Sequence, residues 1–241
     1  MLIFSTVTPR FRSLVENWLA PSLERLDALD RLVVIVDHAD AARGNGNFRT
    51  PGFDAHVVNK LAFIAERAGP GNAPFLVSDA DIVYLRPFDD LLAALLDGQD
   101  ILLAREYPDD AEHYNIGQMV IRPSAEVASF FRRMAADLRD GRTQARYQRD
   151  QPANQDYINE ELRRSGLRHA PLPETFANTG LLRYLGGPEA AALHSYHATE
   201  THPEAGATSL DRKHLRLAEI VSRSGVDFGG PQESAVKRAR Q

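Results

Sequence analysis

Two carboxylates stand one residue apart near the middle of the chain and could hold a cation together. Asp79 and Asp81 follow Phe75-Leu-Val-Ser78, which has the pattern of a short buried strand. In an extended chain, residues two apart face the same side, so both carboxylates can reach one point. Their oxygens suit a hard divalent cation, Mn2+ or Mg2+, which would offset the repulsion between the like charges. The alternative is that one Asp caps the following helix and the other is solvated.

The elements that must position these carboxylates alternate between strand and helix patterns. In the first half they fall at residues 2–7, 11–29, 32–36, 57–68, 75–78, 89–98 and 101–104. This order predicts an α/β fold with a mainly parallel, Rossmann-like central sheet and helices on both faces. The apolar run 32–36 has the composition of a buried parallel strand. Ligands of such sheets bind at the carboxyl ends of the strands, where Asp37 and Asp79 both lie.

The second half of the chain is less regular. The expected elements are strands at 119–121 and 193–196 and helices at 124–140, 154–165 and 211–222. The Gly- and Asn-rich stretch 43–52 and the polar stretch 141–152 are predicted to be loops. We expect a single domain over residues 1–224. Residues 225–241 are predicted to be a poorly ordered tail because Gly, Pro, Lys and Arg predominate there.

Composition limits the classes of function. The chain has 241 residues, of which 43% are hydrophobic and 25% charged, as expected for a soluble globular protein with one large domain. It has no cysteine, which excludes disulfides and thiolate ligands and suits a cytoplasmic location. A formal net charge of -5 gives no general attraction to nucleic acid. No apolar run is long enough for a transmembrane segment, and the first residues read as a strand rather than a signal peptide.

Four segments together resemble motifs of one enzyme family, in matching order and rough spacing. They are Ser78-Asp-Ala-Asp-Ile-Val-Tyr-Leu-Arg-Pro87, Asn115-Ile-Gly-Gln-Met-Val-Ile-Arg-Pro123, Asn154-Gln-Asp-Tyr-Ile-Asn159 and His194-Ser-Tyr-His197. They are similar to the Asp-x-Asp, Asn-x-Gly, Asp-Gln-Asp-x-x-Asn and late histidine motifs of GT-A-fold nucleotide-sugar glycosyltransferases. The resemblance is nearest to the retaining families 8 and 77, and it covers most of the chain.

The resemblance implies a donor site for a nucleoside-diphosphate sugar, most simply a UDP sugar. Asp79, Ala80 and Asp81 would form the metal-binding motif, and His194 would complete the ligand set, with His197 and His202 as further candidates. The nucleoside would contact the end of the first strand and the end of the second, at Thr6, Val7, Thr8 and Asp37. Lys60 would contact the pyrophosphate, although a surface lysine with an apolar stem is the plainer interpretation.

The sugar itself would lie against the second and third motifs. Asn115 offers amide donors and an acceptor for hydroxyl groups, and Gly117 lets backbone approach a ligand closely; an ordinary turn before a strand is the alternative. Gln155 would present its carbonyl to the sugar carbon that becomes positive, or it is simply a polar residue in a first helical turn. Because an amide cannot serve as a base, we expect retention of the anomeric configuration. Asp156 is the nearest acid and would be the base of an inverting enzyme.

The chain departs from the family pattern at two places. Asn154 stands where the family has an Asp, so one negative charge near the sugar is lost. The Lys-Pro-Trp that follows the late histidine in the family is absent, and Lys213 or His202 could take over its contact with phosphate. These departures leave open a catalytically inactive nucleotide-sugar-binding protein.

A phosphatase is the more distant alternative. The strand followed by Asp-x-Asp also fits the first motif of haloacid dehalogenase-type phosphatases, with Asp79 as nucleophile and Asp81 as acid and base. That motif normally opens its domain, whereas two strand-helix units precede it here. The sequence does not identify the acceptor of a transferase, which could be a glycan, a lipid or a protein.

Overall fold

Nine strands and eight α-helices are found in the part of the chain that the structure describes. The computed structural model describes residues 1–38, 51–106, 113–147, 154–178, 192–194 and 208–226. The strands are β1 (Leu2–Val7), β2 (Leu32–Val36), β3 (Phe75–Ser78), β4 (Ile82–Tyr84), β5 (Ile101–Arg105), β6 (Tyr114–Ile121), β7 (His169–Pro171), β8 (Phe176–Asn178) and β9 (Ala192–His194). The helices are α1 (Arg12–Leu14), α2 (Ala20–Glu24), α3 (Pro51–Arg67), α4 (Asp89–Leu95), α5 (Ala125–Arg139), α6 (Arg142–Tyr147), α7 (Asn154–Arg164) and α8 (Ser209–Ser224).

The central sheet has six strands in the order β2-β1-β3-β6-β5-β7. Only β6 runs antiparallel to its neighbours β3 and β5; the other pairs in this sheet are parallel. A second sheet of three short strands has the order β4-β9-β8. The predicted mainly parallel sheet is confirmed, with one reversed strand that the sequence pattern did not reveal.

Both faces of the central sheet are covered. Successive residues of its inner strands contribute alternately to two apolar cores, as the two-residue period of a strand requires: Ile3 and Leu76 belong to one, and Phe4, Phe75 and Val77 to the other. The first core contains residues of the helical run 12–24 and of α8, and the second contains residues of α3, α5 and α7. The helices therefore lie on both faces, as predicted.

Strand β2 differs from its prediction as a buried strand. It lies at the edge of the sheet and pairs only with β1 among the described strands. Val33 and Val34 are 40% and 37% exposed. The apolar, β-branched run 32–36 thus correctly predicted a strand, but the prediction that this strand is buried was wrong. β-Branched residues favour strands at the edge of a sheet as well as at its centre.

The first helical run, which the sequence pattern predicts over residues 11–29, continues through Pro21. A π-helical turn, Val15–Leu19, joins α1 to α2, and the backbone N–H of Ala20 donates to the carbonyl of Val15. A proline lacks the N–H for the usual helical bond and its ring crowds the carbonyl four residues earlier. The wider turn directly before Pro21 accommodates both effects.

Three further boundaries differ from the sequence-based predictions. Strand β6 begins at Tyr114 rather than at residue 119, and helix α6 occupies residues 142–147 of the predicted loop 141–152. Helix α3 begins at Pro51, inside the predicted loop 43–52; the remainder of that loop lies outside the described residues. The expected tail, apart from Gly225 and Val226, also lies outside them. None of the helices in the described part of the chain is long and apolar enough to cross a membrane.

Candidate donor site

Residues Asp79, Ala80 and Asp81 form the link between β3 of the central sheet and β4 of the small sheet. The backbone N–H of Asp79 donates to the carbonyl of Gly117 at 2.7 Å, which extends the pairing of β3 with β6. Ala80 and Asp81 are buried. Since the three residues form a link and not a strand, the two-residue period predicted from an extended chain does not govern where the carboxylates point.

Each of the two carboxylates pairs with a lysine. Lys60 of α3 is 5% exposed, and its ammonium group lies 2.5 Å from Asp79 Oδ1 and donates to the carbonyl of Ile116 at 3.0 Å. Lys213 of α8 pairs with the Oδ2 of Asp81. The two lysines come from helices on opposite faces of the central sheet. Of the candidates for the missing Lys-Pro-Trp lysine, the structure thus brings Lys213 to the motif, while His202 lies outside the described residues.

The pair of Lys60 and Asp79 supports a stability prediction. Changing Asp79 to Ala should lower the free energy of unfolding by about 2 kcal/mol, because it leaves the buried ammonium group of Lys60 without its carboxylate; breaking a fully buried pair costs about 3–5 kcal/mol, and Asp79 is partly exposed. The double variant Lys60→Met/Asp79→Ala should recover most of the loss. Urea denaturation measures both. An Asp79→Ala variant as stable as the wild type would show that the ion pair contributes nothing.

The predicted histidine ligands are only partly placed. In the small sheet, the backbone of His194 pairs with Ile82, the residue directly after Asp81. The side chain of His194 and the whole of His197 lie outside the described part of the structure. Among the described side chains, no three His, Asp or Glu residues converge on one point. The register of β4 and β9 nevertheless places the backbone of His194, the first residue of the late histidine motif, beside the residue that follows Asp81.

Asn115 and Gly117 lie within β6 and not in a turn before it. The side chain of Asn115 is buried: its amide N–H donates to Glu106 Oε2 at 2.6 Å, and its carbonyl accepts from the backbone N–H of Gly117 at 2.7 Å. Glu106 is itself 3% exposed and follows the end of β5. Sequence reasoning missed Glu106, although the strand-end rule that singled out Asp37 and Asp79 also applies to it.

Tyr84 of β4 lies near Ser78 and Asp79 and is influenced by both. Its side chain is fully buried, and its hydroxyl accepts a hydrogen bond from Gln118 at 3.2 Å. Burial raises the pKa of Tyr84 to about 12; hydrogen bonds from Ser78 and Gln118 act in the opposite direction, and the charge of Asp79 adds to the rise. The phenol is therefore neutral at physiological pH, so it adds no charge near Asp79.

The residues predicted to hold the nucleoside lie at the ends of β1 and β2. Thr6 and Thr8 are buried, and neither hydroxyl has a hydrogen-bond partner among the described residues. Buried hydroxyls without a partner are costly and call for an explanation such as a ligand or water. Val7 is buried beside them. The carboxylate of Asp37 accepts from Asn59 at 3.1 Å and lies 2.9 Å from the Nδ1 of His56, both on α3.

Helix α7 carries Asn154, Gln155 and Asp156 in its first turn. The side chain of Asn159 attaches this helix to the start of β6, because it accepts from the N–H of Tyr114 and donates to the carbonyls of Tyr114 and Gln155, each at 2.8 Å. Tyr114 directly precedes Asn115. The last residue of the third motif thus fixes Gln155 relative to the second motif, a role that the sequence alone did not indicate.

Asp156 lies close to His113 and lines a cavity next to the first turn of α7. Its carboxylate lies 3.5 Å from the Nε2 of His113. Both residues line an open cavity of about 360 Å³, together with Asn159, Glu160, Arg163 and Arg164. Lys60, Asp79 and Asp81 are not among the residues that line this cavity.

Comparisons with known proteins agree with this architecture. A comparison with the sequences of curated proteins found no match. Among solved structures the chain is similar to mouse xyloside xylosyltransferase 1, with a TM-score of 0.51, 10% identity, and 80% of this chain and 96% of that one covered. It is also similar to a glycosyltransferase involved in glycosylating the major capsid of PBCV-1, with a TM-score of 0.56, 12% identity, and 90% and 98% covered.

A third similar structure is the galactosyltransferase LgtC in complex with donor and acceptor sugar analogues, with a TM-score of 0.56 and 11% identity; the match covers 97% of this chain and 98% of that one. At these identities the likeness confirms the predicted GT-A fold. The family is shown by sequence, because a nucleotide-diphospho-sugar transferase model matches residues 21–201. The chain therefore belongs to the nucleotide-diphospho-sugar transferase family of glycosyltransferases.

Proposed function

We propose that the protein transfers a sugar from a UDP sugar to a glycan, lipid or protein acceptor, with a divalent cation at the Asp79 motif and with retention of configuration. The observation that carries the proposal is the convergence of two carboxylates and two lysines at the carboxyl end of β3. Membership of a transferase family leaves the phosphatase alternative without support.

The nucleoside would lie against the ends of β1 and β2. The partnerless buried hydroxyls of Thr6 and Thr8 suit a ligand rich in hydrogen-bonding groups. Asp37, held by His56 and Asn59, would accept from hydroxyls of the ribose. Binding to Asp37 would cost little side-chain entropy, because residues of α3 already hold its carboxylate in place.

The diphosphate would lie at the link between β3 and β4. Lys60 supplies a buried positive charge there. Asp79 and Asp81 offer the oxygen ligands that Mn2+ and Mg2+ prefer, and by family resemblance His194 or His197 would complete the set. A bound cation would offset the negative charge that develops on the leaving UDP.

The sugar would lie between β6 and the first turn of α7. Asn115 is held by Glu106 and by the backbone of Gly117, and its second amide hydrogen and second carbonyl lone pair would serve the sugar. The Asn159 side chain links the backbone carbonyl of Gln155 to the backbone of Tyr114, the residue before Asn115, and Asn154 directly precedes Gln155. A carbonyl at Gln155 would stabilise a positive sugar carbon by its dipole, while the departing phosphate accepts the proton of the acceptor hydroxyl.

A thermal-shift experiment tests this proposal. Saturating UDP sugar with Mn2+ should raise the melting temperature by about 5–10 °C, because a ligand at 100 times its Kd stabilises by about 2.7 kcal/mol and each kcal/mol is worth about 2–4 °C at this size. The same UDP sugar with EDTA, and a panel of ADP, GDP and CMP sugars, are the controls. If no nucleotide sugar shifts the transition with Mn2+, the donor site is misassigned.

The same samples distinguish an enzyme from an inactive binder. Asn154 and the missing Lys-Pro-Trp are the features that favour the inactive alternative. A transferase without acceptor should release UDP slowly by hydrolysis of its donor, whereas an inactive binder would show the thermal shift without release of UDP. Coupled detection of free UDP over several hours separates the two.

A further inference from the structure

Lys213 lies 132 residues from Asp81 in the sequence, yet it contributes directly to the candidate donor site. Asp81 is 5% exposed, so its carboxylate requires a compensating charge. In the structure the Lys213 ammonium group supplies such a charge. Lysine reaches its partner through a flexible four-carbon stem, and the Lys213 side chain is 27% exposed. The ammonium group can therefore leave Asp81 without any movement of the helix that carries it.

Helix α8 itself is firmly attached. Thr208 and Asp211 form a capping box at its start. Leu217 and Ile220, one and two turns beyond Lys213 on the same side, are fully buried in the first core. The position of the Lys213 backbone is therefore set by packing and capping and not by the ion pair alone.

A buried histidine provides a second attachment next to Lys213. The indole N–H of Trp18 donates to the Nδ1 of His214 at 2.7 Å, and the Nε2 of His214 lies 3.1 Å from the hydroxyl of Ser13. Because an indole N–H can only donate, Nδ1 accepts and the imidazole proton lies on Nε2. These hydrogen bonds hold the first turns of α8 against the π-helical turn.

The charges of the site make the binding of a lone cation unfavourable. Among the described residues, Asp79 pairs with Lys60 and Asp81 pairs with Lys213. A divalent cation that takes Asp81 from Lys213 leaves excess positive charge in a largely buried site. A diphosphate brings the negative charge that removes this excess, and it gives the displaced ammonium group a new partner. The cation and the diphosphate should therefore bind together far better than either binds alone.

We propose that Lys213 is a movable counter-charge that makes cation binding conditional on the donor. It neutralises Asp81 in the unliganded protein, and it pairs with the diphosphate when the cation occupies that carboxylate. This inference rests on the proposed function and adds to it the coupling between its two ligands. Coupling of this kind is reciprocal: the diphosphate tightens cation binding by the same factor by which the cation tightens diphosphate binding.

The test is to remove the charge of Lys213 and titrate the two ligands separately. In Lys213→Met, the affinity for Mn2+ alone should rise about tenfold or more, because a unit charge next to the site no longer competes. The affinity for UDP in saturating Mn2+ should fall by a similar factor, because the diphosphate loses its second ammonium group. The coupling factor between Mn2+ and UDP should fall accordingly. Isothermal titration calorimetry at constant ionic strength measures all three.

Two further variants complete the design. Lys213→Gln retains a donor for Asp81 without the charge, so it provides the same comparison if the Met variant does not fold. Arg223→Met removes a positive charge from the same helix; the Arg223 side chain is 52% exposed, and its partner Glu219 keeps its pair with Arg216. The variant should change neither affinity by more than about twofold, because an exposed charge is screened by solvent and salt.

The outcomes separate the inference from the proposed function. If wild-type protein binds UDP with Mn2+ and the Lys213 variants leave the affinity for Mn2+ alone unchanged or weaker, Lys213 is a structural residue and the inference is wrong while the function stands. An unchanged UDP affinity in the variants likewise overturns the diphosphate contact. If the wild type shows no Mn2+-dependent binding of UDP, the proposed function fails and the inference fails with it. Opposite changes in the two affinities support the inference.

Discussion

Replacing both Asp79 and Asp81 by Asn should abolish Mn2+-dependent binding of UDP. The two carboxylates are the oxygen ligands that the proposed cation requires, and asparagine keeps their shape without their charge. We expect the UDP affinity in Mn2+ to fall by at least about a hundredfold, since loss of an outer-shell partner alone costs about 10–100-fold in metal affinity. Calorimetric titration with UDP, with and without EDTA, measures the effect.

The matched control for this double variant is Asp90→Asn, which changes an exposed carboxylate in the first turn of α4. Its UDP affinity should equal that of the wild type. Circular dichroism should show that the double variant is folded, because asparagine can still accept hydrogen bonds from Lys60 and Lys213. Mn2+-dependent UDP affinity that survives in the folded double variant would refute the metal assignment.

The second large effect is expected at Gln155. Changing Gln155 to Ala should lower kcat about a hundredfold, the loss found when one preorganised dipole is removed from a developing charge. The KM for the donor should change less than about threefold, because the proposed contact strengthens only as the sugar carbon becomes positive. Steady-state kinetics with a saturating acceptor measures both parameters. A Gln99→Ala variant, which removes an amide from the turn after α4, serves as the control.

The anomeric configuration of the product tests the same role independently. With a neutral carbonyl at Gln155 and the phosphate as proton acceptor, the linkage should keep the configuration of the donor. The anomeric proton signal in the NMR spectrum of the product reports this configuration directly. An inverted linkage would mean that a carboxylate acts as base. Asp156, which lies beside His113 and lines the neighbouring cavity, would then be the first residue to examine.

Most of the fold could be predicted from the sequence because the strands and the helix ends have local sequence signals. The apolar run before Asp79 became β3, Ser124 accepts from the N–H of Val127 at the start of α5, and the helix pattern ending before Gly166 became α7. The early start of β6 could not be predicted from the sequence, because Asn115 and Gly117 are typical turn residues. They continue a strand here because the Asn115 side chain is satisfied by Glu106 and by the Gly117 backbone.

The residues of the candidate site could be predicted from the sequence only where they lie close together in one motif. The two carboxylates stand in one motif, and so do Gln155 and Asn159. The pairing of Lys213 with Asp81 depends on how α8 packs, and no local pattern carries that information. The position of Lys60 could not be predicted from the sequence alone either. A lysine on an apolar helical face can extend its ammonium group to solvent, whereas the structure buries Lys60 against Asp79.

The π-helical turn determines which side chains of the first helical run share a face. In an α-helix, residues five apart point about 140° away from each other. A π turn closes its hydrogen bond over five residues, so residues five apart come nearly into phase. Ser13 and Trp18 are such a pair, and they engage the two nitrogens of one imidazole. Deleting one residue between them would leave the two side chains four apart, and residues four apart lie on the same face of an α-helix. The run could therefore lose its π turn and still direct both side chains to His214.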